Sequence, residues 1–308
     1  MIVPPVPPPD DADGSCCFAA IARTCAAEVL AEAARAAQHD EPESLHKLRV
    51  AIRRARAALS LFRAATTGGT RLPLARELRT LQRRLGETRE WDVLVDETLA
   101  SLPAKFAARR ATRGVVRLAR KQRDVGHKHV RAALREPASV ATLRRLAAWP
   151  DRHFGARASP RPPSGRWDTA TLAQPATSLA AAVLDKRHRQ ARKQGRGLRH
   201  LDQAALHRLR IRIKKLRYAA EFFAGLWPDG RASRRARRYL ASLRELQQAL
   251  GSWHDIAVAP ALIARLGPDA GDTAALAAWL ATAEQARRED VAASWRRFTR
   301  RDHFWDAC

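Results

Sequence analysis

Residues 45–62 read LHKLRVAIRRARAALSLF and residues 206–223 read LHRLRIRIKKLRYAAEFF, an alignment that needs no gap. A second block recurs in the same order: LRTLQRRLG at 78–86 and LRELQQALG at 243–251. Four positions after the glycine of each block stands an acid, Glu90 in the first and Asp255 in the second. Two blocks repeated in register mean that the chain folds as two related units, since duplicated sequence builds duplicated supersecondary structure. The repeats carry alanine, leucine and arginine with few β-branched residues, which is the composition of α-helix.

An α-helix turns about 100° per residue, so spacing alone sorts side chains onto faces. His46, Arg49, Arg53 and Arg56 are spaced to fall within an arc of about 80°. Leu45, Leu48, Ile52, Ala55 and Leu59 fill the adjoining arc as a core face. The second copy repeats the pattern, with His207, Arg210, Lys214 and Arg217 beside Leu206, Leu209, Ile213 and Leu216. A basic stripe along the border of an apolar face lies at the edge of a packed seam, where a neighbouring helix can wall it in. Cations crowded there repel one another and call for anions. Arginine forks match phosphate oxygens in pairs, and a row of them at one-turn intervals suits an extended phosphate chain.

The whole chain agrees with that partner class. It carries 57 Lys+Arg against 31 Asp+Glu, a formal net charge of +26 over 308 residues. Such an excess points to a polyanion: nucleic acid, an anionic membrane surface or a phosphate polymer. Apolar residues make up 46% of the sequence, enough for a substantial core, so charge does not imply disorder. The cysteines, Cys16, Cys17, Cys25 and Cys308, form no CxxC pair and suggest neither a disulfide framework nor a zinc knuckle. No uninterrupted run of about 18 apolar residues is present, and no membrane partner is expected. Met1 to Gly14, rich in proline and aspartate, reads as a disordered leader without the basic start of a secretory signal, so a cytoplasmic protein is expected.

Glycine and proline punctuate the periodic stretches near Asp40–Pro42, Thr66–Pro73, Leu102–Pro103, Pro137 and Pro150. In the second half, breaks fall near Gly195–Asp202, Pro228–Gly230 and Leu266–Asp272. This divides the chain into a leader (1–14), a first helical repeat (15–150), a linker (151–175) and a second helical repeat (176–308). Weaker basic rows support the main stripes. Lys186, Arg189, Lys193 and Arg196 have the same spacing just ahead of the second copy, with Gly195 as a candidate end of that helix. Arg79 and Arg83 share a face with Glu90, and Lys105, Arg109, Arg113 and Arg117 step by four.

The motifs at 45–59 and 206–222, with the trailing acids and the Asp92–Val93 pair, resemble the CHAD family, the conserved histidine α-helical domain. The resemblance spans about residues 16–303. It implies an all-α fold of two four-helix bundles with long antiparallel helices, related by an internal pseudo-two-fold repeat. It also implies a basic central cavity that binds inorganic polyphosphate, in proteins found with polyphosphate granules. Matched to the motif, the contacts would be His46, Arg49, Arg53, Arg56, His207, Arg210, Lys214 and Arg217. Lys47, Arg54, Arg208 and Lys215 belong to the motif but point elsewhere on the wheel. Glu90 departs from the family's usual aspartate. Some members are fused to a triphosphatase domain with an ExExK motif. Here Glu41 and Glu43 are followed by Leu45, so hydrolysis is not implied.

The residues exclude several chemistries. There is no Ser/His/Asp arrangement, no phosphate-cradling glycine loop and no paired-carboxylate site, so no catalytic residue, cofactor or metal ligand is assigned. His46 has arginines as helical neighbours, a poor setting for a divalent cation. The expectation is a non-enzymatic polyphosphate binder. The second reading is a nucleic-acid-binding helical protein, disfavoured because the stripes carry no stacking aromatic before Tyr218. The others are an accessory subunit of a polyphosphate-metabolising enzyme, an enzyme on phosphate chains, and a plain scaffold.

Overall fold

The computed structural model describes residues 13–39, 41–61, 66–67, 71–154, 166–167, 172–228, 230–267 and 273–306. Among the described residues it is all-α apart from one pair of two-residue strands and an isolated bridge between Asp13 and Pro175. The first half contains α1 (Gly14–Gln38), α2 (Pro42–Leu61), α3 (Arg71–Arg84), α4 (Gly86–Val93), α5 (Ala104–Ala107), α6 (Arg110–Arg135) and α7 (Pro137–Phe154). The second contains α8 (Ala176–Gln194), α9 (Gln203–Phe223), α10 (Gly230–Ala264) and α11 (Ala274–Thr299). The strands β1 (Thr66–Thr67) and β2 (Arg166–Trp167) pair antiparallel, Thr66 opposite Trp167.

The helix starts follow local chemistry. Asp13 accepts from the Cys16 amide at 2.8 Å and Asp202 from the Ala205 amide at 2.6 Å, side-chain caps that satisfy free N–H groups at the start of α1 and α9. Proline opens α2 and α7, where its missing donor costs nothing. Asp13 and Gly14 thus belong to α1 rather than to a leader, whose other residues lie outside those described.

Two sequence expectations fail on tertiary grounds. Pro150 does not end a helix: α7 carries it to Phe154, with Trp149 buried beside it. Within the segment expected as a linker lies β2, and Gly14 at the start of α1 donates to the Gln174 carbonyl at 3.0 Å. The second failure separates the repeats. At Leu85–Gly86 the first copy breaks between α3 and α4, whereas the matching Gly251 lies inside the 35-residue α10. The difference is a side chain. Arg49 Nη1 donates to the Gln82 carbonyl at 3.0 Å and would lie 3.4 Å from a Cβ on Gly86, while nothing lies within 4 Å of Gly251.

The buried apolar residues form two clusters. The larger joins α1, α2, α3 and α7 to α8, α9, the first part of α10 and the end of α11, with Phe18, Leu48, Ile52, Leu209, Ile213 and Tyr239 among its members. The smaller gathers Trp91 and Leu94 with Val115 of α6, Ile256 and Ile263 of α10 and Leu276 of α11. α1 is long and apolar enough to cross a bilayer, with a mean hydropathy of 1.3 over its best window, but half of that window is buried against the rest of the fold. It packs chiefly on α2 and α7, and also on α6 and α8.

Candidate anion groove

The core faces of α2 and α9 press against the same cluster, and the two helices touch. That contact turns their basic borders toward each other. Arg49 and Arg53 from α2 meet Arg210 and Lys214 from α9. The Nε atoms of Arg49, Arg53 and Arg210 are each buried without a hydrogen-bond acceptor from the protein. A buried guanidinium donor left unpaired costs free energy, so three in one place mark where an acceptor belongs.

The electrostatics agree. Burial, together with Arg210, Arg53 and Arg49, pushes the Lys214 ammonium down to about 6, against one opposing carboxylate, Asp255. Burial and then Arg53 lower Arg49 to about 10, partly opposed by Glu90. Burial lowers Arg210 too, with Asp255 opposing and Arg53 adding to the shift. The acid that trails each repeat therefore stands by the matching arginine, Glu90 by Arg49 and Asp255 by Arg210. Glu90 itself is raised, chiefly by burial. Both histidines stand beside these cations and are held toward the neutral form, first by burial. The next contributors are Arg89 and Arg53 for His46, and His254 and Arg210 for His207. His207 also lies 5.2 Å from His254, centroid to centroid.

Beyond Arg49 the groove opens into a cavity of about 510 Å³ lined by Arg56, Arg79, Arg83, Gln82 and Arg265 among others. Arg56 Nη1 donates to Gln82 Oε1, and in the second repeat Arg217 Nε donates to Gln247 Oε1 at 2.7 Å. Matching arginines thus hold matching glutamines. Past this cavity Lys215 is lowered by burial and then by Arg212, Arg187, Arg56 and Arg79, with no carboxylate opposing. Arg187, lowered to about 10 by burial and Arg212, donates to the Lys215 carbonyl at 2.7 Å and to Ser60 Oγ at 2.9 Å.

Not every expected residue joins the groove. Arg217 is buried and spends its Nη1 on Glu221 at 2.6 Å. Arg54 is 1% exposed and bridges Glu28 at 3.0 Å and Glu221 at 3.1 Å, so it is a core ion pair and not a free contact. Lys47 is exposed beside Glu43 at 3.6 Å. Lys186, Arg189 and Lys193 lie exposed on α8. Arg89, Arg187, Arg212, His254 and Arg265 were missed: Arg212 lies within the second motif but off its stripe, the other four lie outside the repeated motif, and only their contacts identify them. Asp185, His303 and Asp306 offer ligand atoms within 4.8 Å of one another, but Asp306 already accepts from His303 Nδ1 and Asp185 from Trp305 Nε1, each at 2.8 Å.

A family model described as the CHAD domain matches residues 20–264. The chain belongs to the CHAD family. Among solved structures it is similar to the CHAD domain from the plant Ricinus communis, with a TM-score of 0.72 and 25% identity over 100% of this chain and 95% of that one. It also resembles PptA from Streptomyces chartreusis, with a TM-score of 0.62 and 18% identity over 96% of this chain and 99% of that one, a likeness of fold alone. No curated protein matches it.

Proposed function

We propose that this CHAD protein binds inorganic polyphosphate in the groove between α2 and α9, as a non-enzymatic binder held in the cytoplasm at polyphosphate granules. The observation that carries the reading is the set of three buried, unpaired guanidinium Nε atoms facing Lys214 from two helices. A polymer with one anionic unit after another fits a row of arginine forks, and it needs no base-stacking surface. Polyphosphate is favoured over nucleic acid because the convergent residues are Arg, Lys and His. The ring nearest the stripe, Tyr218, is buried under Arg217, its centroid 4.8 Å from the guanidinium carbon. The two acids that trail the repeats act as counter-charges to Arg49 and Arg210. Calorimetric titration with long-chain polyphosphate, with double-stranded DNA, single-stranded RNA and orthophosphate as competitors, tests the reading. Polyphosphate binding should survive every competitor at physiological salt; displacement by either nucleic acid would assign the groove to that polymer instead.

Lys214 makes the binding pH-dependent. In the free protein its pKa near 6 leaves it mostly neutral above pH 7. An anion placed among Arg49, Arg53 and Arg210, where Asp255 already acts in the same direction, favours the charged form and raises that pKa. Binding at pH 7.5 is therefore expected to take up a proton, and affinity to fall as pH rises above 6. Calorimetry in buffers of different ionisation enthalpy reads the uptake directly, and Lys214→Met should abolish it. In the free protein the sign for stability follows from the same depressed pKa. The unfolded chain holds more protons between pH 6 and the ordinary lysine value of 10.5, so this residue's contribution to stability rises with pH across that window.

A further inference from the structure

A second concave surface lies at the other side of α9's start, where the turn after α8 meets α11. It comprises a cavity of about 570 Å³ and an adjoining one of about 620 Å³, which share Leu198, Arg199, Ala292 and Arg296 in their walls. The local fold explains the concavity. α8 ends at Gly195, where a Cβ would come within 2.3 Å of the Trp295 ring, so only glycine lets the indole lie against this turn. Gly197 then adopts φ +61, a left-handed conformation natural to glycine, and sends the chain back across α11.

The result is convergence of cations from separate segments. Arg192 comes from α8, Arg196 and Arg199 from the turn, and Arg296 from α11. Arg192 is engaged with the Thr299 carbonyl at 2.9 Å. The guanidinium groups of Arg196, Arg199 and Arg296 make no hydrogen bond or ion pair among the described residues. Glu289 is the one carboxylate in either wall. Below the cationic rim the floor is apolar, formed by Leu198, Leu206 and Val291, all buried. Trp295 is half-buried at its edge.

A rim of free arginine forks over an apolar floor with an indole at its side selects an amphiphilic anion: short phosphates for the forks, a flat ring system for the floor. We propose that this pocket binds a nucleoside di- or triphosphate, separately from the groove between α2 and α9. The phosphates pair with Arg196, Arg199 and Arg296, and the base lies on Leu198 and Val291 beside Trp295. Inorganic polyphosphate would engage the rim but leave the floor uncovered.

Calorimetry of the full chain with ATP, tripolyphosphate and adenosine tests this, using wild type, a pocket variant (Arg196→Ala, Arg199→Ala, Arg296→Ala) and a groove variant (Arg49→Ala, Arg53→Ala, Arg210→Ala). The three pocket arginines are exposed, so their removal leaves the fold intact, which circular dichroism verifies. ATP is expected to bind at least tenfold more tightly in the groove variant than tripolyphosphate or adenosine does, and to lose at least tenfold in the pocket variant. Unchanged ATP affinity in the pocket variant would overturn the proposal, as would loss of ATP binding in the groove variant alone. Equal affinity for ATP and tripolyphosphate in the groove variant would overturn the assignment of the apolar floor to a base. The loss in the pocket variant is read with the groove substitutions also present, so that triphosphate held by the groove does not mask it and the outcome does not depend on whether the groove takes polyphosphate.

Discussion

Replacing Arg49, Arg53, Arg210 and Lys214 together by alanine is expected to weaken polyphosphate binding by about a thousandfold or more. Hydrogen bonds to charged groups contribute about 1.5–3 kcal/mol each, and each 1.4 kcal/mol is about tenfold in affinity. Four such groups exceed a thousandfold even when their contributions overlap. The salt dependence should flatten at the same time, because fewer counterions are displaced when fewer phosphates are neutralised; the relation is established for nucleic acids and extends here by the same electrostatics. Fold loss is the competing explanation for weak binding, and Lys214→Met separates the two. It removes an amine whose charged form the free protein disfavours, by burial and by Arg210, Arg53 and Arg49, so it should raise the denaturant midpoint while lowering polyphosphate affinity. A variant that binds as wild type does would remove the groove from the function altogether.

Glu221→Ala should be the most destabilising single change in the motif helices, at about 3–5 kcal/mol. Glu221 is buried and holds two arginines from different helices: Arg54 of α2 at 3.1 Å and Arg217 of its own α9 at 2.6 Å. A third, Arg244 of α10, stands at 3.6 Å. Removing the carboxylate leaves Arg54 to Glu28 and Arg217 to the neutral Gln247, two buried guanidinium groups short of counter-charge, which is the costly way to break an ion pair. The surface pair Glu43–Lys47 supplies the contrast, since Glu43→Ala should change stability by less than about 1 kcal/mol. Urea unfolding of the two variants compares them, and similar midpoints would mean that Glu221 does not tie α2 to α9.

The helical wheel was reliable where a residue's surroundings depend on its own helix. Leu48, Ile52, Leu209 and Ile213 are all fully buried, as their shared face required. The adjoining arc did carry the cations that meet in the groove. The same wheel set Arg56 and Arg217 alike, and both do bond the matching glutamine, yet Arg217 is withdrawn into the core by Glu221 while Arg56 faces the open cavity. The first repeat has Ser60 at the matching position, which cannot hold an arginine as a carboxylate does. Arg54 and Lys215 also occupy matching positions and part company: one is bound inside by Glu28 and Glu221, the other stands exposed among Arg187 and Arg212.

Sequence alone determined that this chain is helical, that two of its segments repeat, that each carries a basic border beside an apolar face, and that it resembles the CHAD family. Those properties are local: periodicity, composition and motif are complete within a single helix or block. Tertiary structure alone decided which cations meet, since Arg53 gains Arg210 and Lys214 as neighbours only through the packing of α2 on α9. It also decided that the chain breaks at Gly86 and runs on through Gly251, and that Pro150 lies within a helix. Burial and pairing of a charge depend on residues of other helices, some of them more than a hundred positions away as Glu221 is from Arg54, and no pattern within one helix contains those.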